Sequence, residues 1–87
     1  MITQSVTIKN PLGLHARPAK NFVQIATQFK SNVTFAKDSK SFNAKSILMV
    51  MSAGAKCGQS IDLSCDGPDE AQAMTALVEA IDSGLGE

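Results

Sequence analysis

The stretch SIDLSCDGPDE, residues 60 to 70, decides the fold. Ile61, Leu63 and Cys65 alternate with Ser60, Asp62 and Ser64, a period of two that puts the apolar side chains on one face of a strand. Asp66-Gly67-Pro68-Asp69-Glu70 then carries turn and helix-start chemistry, with a proline early and acids at the positive end of the coming dipole. Met74, Leu77, Val78 and Ile81 follow at helical spacing, and Gly84 is placed to stop the helix. A strand with one buried face thus passes directly into a helix with one apolar stripe.

The same two patterns recur upstream. Ile2, Val6 and Ile8 alternate with Thr3, Ser5 and Thr7 in a first strand, which Asn10-Pro11-Leu12-Gly13 breaks. Ala19, Phe22, Val23, Ala26 and Phe29 mark the buried side of a helix predicted from about 16 to 28. Val33 and Phe35 alternate with Thr34 and Ala36 in a second strand. Asp38-Ser39 is a plausible hairpin turn into a short third strand around 40 to 43. Ser46 can cap a short helix from Ile47 to Ser52, with Gly54 placed to end it in the left-handed conformation. The order is β-α-β-β-α-β-α. Half-buried strands need their cover on one side only, so the fold class is α+β: an open-faced sandwich, with a four-stranded antiparallel sheet covered on one face by three helices.

Composition narrows the function. A chain of 87 residues is expected to form a single domain, 1–87. Eight basic side chains balance eight acidic ones, which argues against a nucleic-acid footprint. The longest apolar run, Ile47 to Met51, is five residues, far short of the ~20 a membrane span requires. The opening MITQSVTIKN has no signal-peptide pattern, so a cytoplasmic location is expected. Cys57 and Cys65 have neither metal-ligand spacing nor histidine partners, and two reduced thiols are expected.

The one histidine, His15, stands in NPLGLHARPA, residues 10 to 19. As the N-cap of the first helix it would face the unpaired N–H groups of Ala16 and Arg17, the positive helix end and the Arg17 guanidinium. Pro18 removes no donor the helix needs, but it disfavours helical geometry at Arg17, so a distorted first turn is expected. A neutral imidazole has a free lone pair, and positive surroundings favour the neutral ring. Local chemistry leaves two readings open: a capping or surface imidazole, or an anion site built around a nucleophile suited to phosphoryl transfer. No second base, carboxylate pair or metal cluster accompanies it, so a functional His15 would accept and donate a group with no cofactor and no metal.

GLHARPA at 13–19, followed by AKSILMVMS at 44–52, resembles the HPr family, the histidine-containing phosphocarriers of the bacterial sugar phosphotransferase system. The resemblance covers the whole chain, down to the terminal SGLGE. It implies the sheet order 1-4-2-3. It implies that His15 accepts a phosphoryl group on Nδ1 from phospho-enzyme I and passes it to IIA domains of sugar permeases, with Arg17 stabilising the phosphate. Such a protein is a stoichiometric carrier rather than an enzyme, and a monomer is expected. Ser46 matches the residue that an HPr kinase/phosphorylase modifies, which would add that enzyme and a catabolite-control transcription regulator as partners. Read locally, Ser46 is a plain helix cap.

A last expectation concerns docking. Val50 and Ala53 have the spacing to face the sheet, leaving Ile47, Leu48 and Met51 near the surface. The resemblance makes these three, with Ala16, Pro18, Lys20 and Arg17, the binding surface for both partners. Two alternatives stay open: a nitrogen-branch phosphocarrier of the same family, or mainly a catabolite-repression regulator. The second usually lacks the active histidine.

Overall fold

A computed structural model describes residues 1–9, 13 and 16–85. The chain runs β1 (Ile2–Thr7), α1 (Ala16–Thr27), β2 (Asn32–Lys37), β3 (Lys40–Asn43), α2 (Ile47–Ala53), β4 (Ser60–Asp66) and α3 (Glu70–Asp82). The four strands form one antiparallel sheet in the order β1-β4-β2-β3, as expected.

Register turns the period-two pattern into two faces. Ile2, Cys65 and Val33 stand side by side across three strands, as do Leu63, Phe35 and Phe42. These point toward the helices, and Val33, Phe35, Ile61, Leu63 and Cys65 are buried. The other parity carries Thr3, Ser64, Thr34 and Asn43 in one row and Ser5, Asp62, Ala36 and Ser41 in the next. On this outer side hydroxyls pair across the ladder, Thr3 with Ser64 at 3.0 Å and Thr7 with Ser60 at 3.2 Å. A single-residue slip would exchange the faces, so the buried row fixes the register.

The helices close the inner face. Phe22 of α1 meets Phe35 edge-on with ring centroids 6.0 Å apart, and Phe42 stacks on the far side of Phe35 at 5.3 Å. Such ring pairs add roughly 0.5–1.5 kcal/mol beyond the area they bury. α3 buries Ala73, Met74, Leu77 and Ile81. Val78, expected on that stripe, is only half-buried, and Ala73 takes the inner position instead. α1 stops at Thr27, so Phe29 packs against the core from the loop beyond the helix rather than from its face.

Turns and caps follow local chemistry. Asp38 and Ser39 both have positive φ, 54° and 66°, the geometry of a two-residue hairpin whose twist matches its strands. α3 ends at Ser83, after which the N–H of Leu85 reaches the carbonyl of Ala80 and that of Gly84 reaches Ile81. This pair of bonds satisfies two helix-end carbonyls and folds Leu85 back into the core. Its own carbonyl then accepts the Asn21 side-chain amide at 2.6 Å, tying the end of α3 to α1.

Asp69 stands at the positive start of α3, as expected, and also reaches a distant loop. It occupies the N-cap of α3 but makes no capping bond. Its carboxylate instead accepts the Lys30 and Ser31 backbone N–H groups, each at 2.9 Å, and the Ser31 hydroxyl. Glu70 fills the gap by accepting the Gly67 N–H at 3.2 Å, and also meets the chain's terminal ammonium at 3.3 Å. Those two donors hold its carboxyl below the ordinary carboxylate range, the backbone bond most of all.

Candidate functional site

The site is built where the start of α1 meets the end of α2. His15, like Asn10, Pro11, Leu12 and Leu14, lies outside the described residues. The chain on either side of it is defined. Gly13 is buried with φ +72°, and α1 begins at Ala16. The helix includes Arg17, the residue before Pro18.

α1 sorts its first turn into two sides. Ala16, Arg17 and Lys20 are exposed, whereas Pro18 and Ala19 are buried. Pro18, expected among the binding residues, is buried where Ala16, Arg17 and Lys20 are exposed. Arg17 and Lys20 have no carboxylate partner among the described residues, so both cations are left for something outside the fold.

α2 is capped at both ends as its sequence suggests. The Ser46 hydroxyl accepts the Met49 N–H at 3.3 Å, and Gly54 takes φ +64° while its N–H reaches the Met51 carbonyl. Val50 and Ala53 are the buried pair. Ile47, Leu48 and Met51 stand 43 %, 79 % and 44 % exposed, with Met49 beside them at 36 %. Leaving most of Leu48 in water is unfavourable by the ordinary measure of apolar area, which is why such a patch points to a partner.

Backbone contact joins the two elements. The Cα of Gly13 sits against the Ala55 carbonyl and the Lys56 backbone, just beyond the cap of α2. Lys56 is exposed there, a third cation that sequence reading passed over because its place depends on this long-range contact. Cys57 beside it is exposed and free. Cys65 is free and buried, and its thiol is pushed up by burial first and by the nearby Glu70 and Asp69 carboxylates second. Ser46 stands at the opposite end of α2, about 10 Å of helix away. Among the described residues no group of three acidic, histidine or cysteine side chains could hold a metal ion, and no helix is long and apolar enough to cross a membrane.

An exposed pair of cations on α1 and an uncovered apolar face on α2, set on an open sandwich, are the features of a small docking protein. Residues 2–83 match the family model described as the PTS HPr component phosphorylation site. The chain belongs to the HPr family, the phosphocarrier proteins of the phosphotransferase system. It is 47 % identical over 87 residues to phosphocarrier protein HPr of Neisseria meningitidis, covering the whole chain and 98 % of that relative. A crystal structure of HPr from Thermoanaerobacter tengcongensis superposes with a TM-score of 0.96 at 48 % identity, covering 100 % of this chain and 98 % of that one. The HPr-like protein Crh of Halalkalibacterium halodurans is 44 % identical over 82 residues, covering 94 % of this chain and 98 % of that relative.

Proposed function

We propose that this chain, a single HPr-like domain acting in the cytoplasm, carries phosphoryl groups on His15 from phospho-enzyme I to IIA domains of sugar permeases. The Nδ1 lone pair of His15 forms a bond to phosphorus as the bond to the enzyme I histidine breaks, returning an electron pair to that nitrogen. Arg17 stabilises charge on the transferring oxygens, with help from the helix start. Ala16, Lys20, Ile47, Leu48 and Met51 form the docking surface for both partners, with Pro18 bracing it from within. Phosphorylation of Ser46 by an HPr kinase/phosphorylase adds charge beside that surface and links the chain to a catabolite-control regulator.

The observation that carries this reading is Arg17. It is exposed in the first turn after His15, without a carboxylate partner among the described residues, in a chain matching the phosphorylation-site family. A purely regulatory role is the second reading, supported by the likeness to Crh, and the presence of His15 weighs against it.

Incubation with enzyme I and phosphoenolpyruvate tests the proposal. The wild-type chain should gain one acid-labile, base-stable phosphate, and His15→Ala none. Arg17→Ala should transfer more slowly than Arg17→Lys, which keeps charge but loses the forked donors. A wild-type chain that stays unlabelled, or a labelled His15→Ala, overturns the reading.

A further inference from the structure

The contact that joins α1 to α2 has a chemical role that composition does not reveal. Gly13 combines a positive φ of +72° with no room for a side chain. A Cβ there would lie 2.8 Å from the Lys56 Cα and closer still to the Ala55 carbonyl oxygen. The obstacles are backbone atoms, which no side-chain rotation can move away.

The seat itself is held from several directions. Ala55 is buried, and it follows directly on Gly54, where α2 ends with Val50 and Ala53 anchored in the core. The Gly58 N–H donates to the Ile8 carbonyl at 2.8 Å, and the Ile8 N–H donates to Gln59 at 2.9 Å. The Gln59 N–H returns to the Lys56 carbonyl at 3.0 Å, while the Gln59 side chain accepts the Lys56 N–H at 2.8 Å. A seat pinned to both α2 and the chain just past β1 has little room to yield, so a misfit there falls on Gly13.

We propose that Gly13 is a positioning residue for phosphoryl transfer: seated on Ala55–Lys56, it sets the path of the chain into His15 relative to the docking face of α2. The proposal rests on the phosphocarrier reading above. It follows that partner docking on α2 and the placement of the acceptor are coupled through backbone, since Gly13 lies two residues before His15 and its seat is one residue past the α2 cap. Displacing a reacting group by about 1 Å can cost about a hundredfold in rate, while docking on an untouched surface is unaffected.

The test compares wild type, Gly13→Ala, Ala55→Gly and Gly58→Ala as phosphoryl acceptors from enzyme I, with folding checked by melts and kcat and KM measured separately. Gly58, whose N–H helps hold the seat, also has positive φ, +87°, but nothing lies within 4 Å of an added Cβ, so Gly58→Ala strains the seat without blocking it. Folded Gly13→Ala should lose about tenfold or more in kcat with KM within about twofold of wild type, and Gly58→Ala, which adds no clash, should lose less. Ala55→Gly loosens the seat without blocking it and should show a smaller loss of the same kind. Wild-type kcat in folded Gly13→Ala overturns the proposal. If Gly13→Ala does not fold, Ala55→Gly decides: reduced kcat supports the seat, wild-type kcat overturns it. A wild-type chain that accepts no phosphate overturns the phosphocarrier reading and this one with it, a different result from four chains labelled alike.

Discussion

Asp69 and Ser31 are joined twice through one carboxylate oxygen, which accepts both the backbone N–H and the hydroxyl of a serine with no exposed surface. The other oxygen takes the Lys30 N–H. The Ser31 hydroxyl bond, more than the backbone bonds, holds the Asp69 carboxyl below the ordinary carboxylate range. A depressed folded pKa means stability that is complete above the unfolded value of ~4 and lost as pH falls through the folded one. Asp69→Asn keeps one acceptor oxygen and turns an NH2 group toward either Lys30 or Ser31, so at least one of those donors loses its partner. Its melting temperature at neutral pH should be lower, and its stability should fall less steeply in acid. Parallel curves of Tm against pH for the two proteins would refute this.

The two faces of α2 should separate binding from folding. Leu48→Asp or Met51→Glu should weaken complexes with enzyme I and IIA domains in titration calorimetry, with Tm almost unchanged. Leu77→Ala in α3, where the side chain is fully buried, should cost about 2–5 kcal/mol in urea unfolding. A Leu48 variant that unfolds like the Leu77 one would place that side chain in the core.

Ser46 should show two separable effects. Ser46→Ala removes the acceptor of the Met49 N–H and should cost about 0.5–1 kcal/mol, the bond being a long one. Ser46→Asp keeps an acceptor there, so it should fold nearly as well as wild type while slowing transfer from enzyme I. Transfer at wild-type speed in an authentic Ser46 phosphoprotein would reduce the residue to a cap.

The thiols should be unequal. Cys57 is exposed, whereas Cys65 is buried with its thiol shifted up, away from the reactive thiolate. Ellman's reagent should titrate one thiol in the native chain and two in urea. Two fast thiols in the native state would mean that β4 opens far more readily than its central place allows.

Legibility followed the range of the interaction. The strands, the Asp38-Ser39 hairpin and the Ser46 and Gly54 caps were readable because period, turn and cap chemistry act within a few residues. Asp69 is legible as a helix-start acid, but its bonds to Ser31, 38 residues away, are not. At the site, the exposure of Leu48 and Met51 followed from the spacing of Val50 and Ala53. Lys56 and the Gly13 seat did not follow from any spacing, since one backbone meets another only after the sheet has closed. The resemblance groups Pro18 with Ala16, Arg17 and Lys20, and only the folded helix shows that Pro18 alone of the four is buried.

The hydroxyl rows on the outer side of the sheet give the molecule a blank back. Among the described residues, Ala16, Arg17 and Lys20 stand on α1 and Ile47, Leu48 and Met51 on α2, while Ser5, Asp62 and Ser41 face the other way. A fluorophore or a surface tether attached at Ser5 or Ser41 would be separated from the front by the thickness of the core. A label or tether placed there should leave α1 and α2 open to solvent.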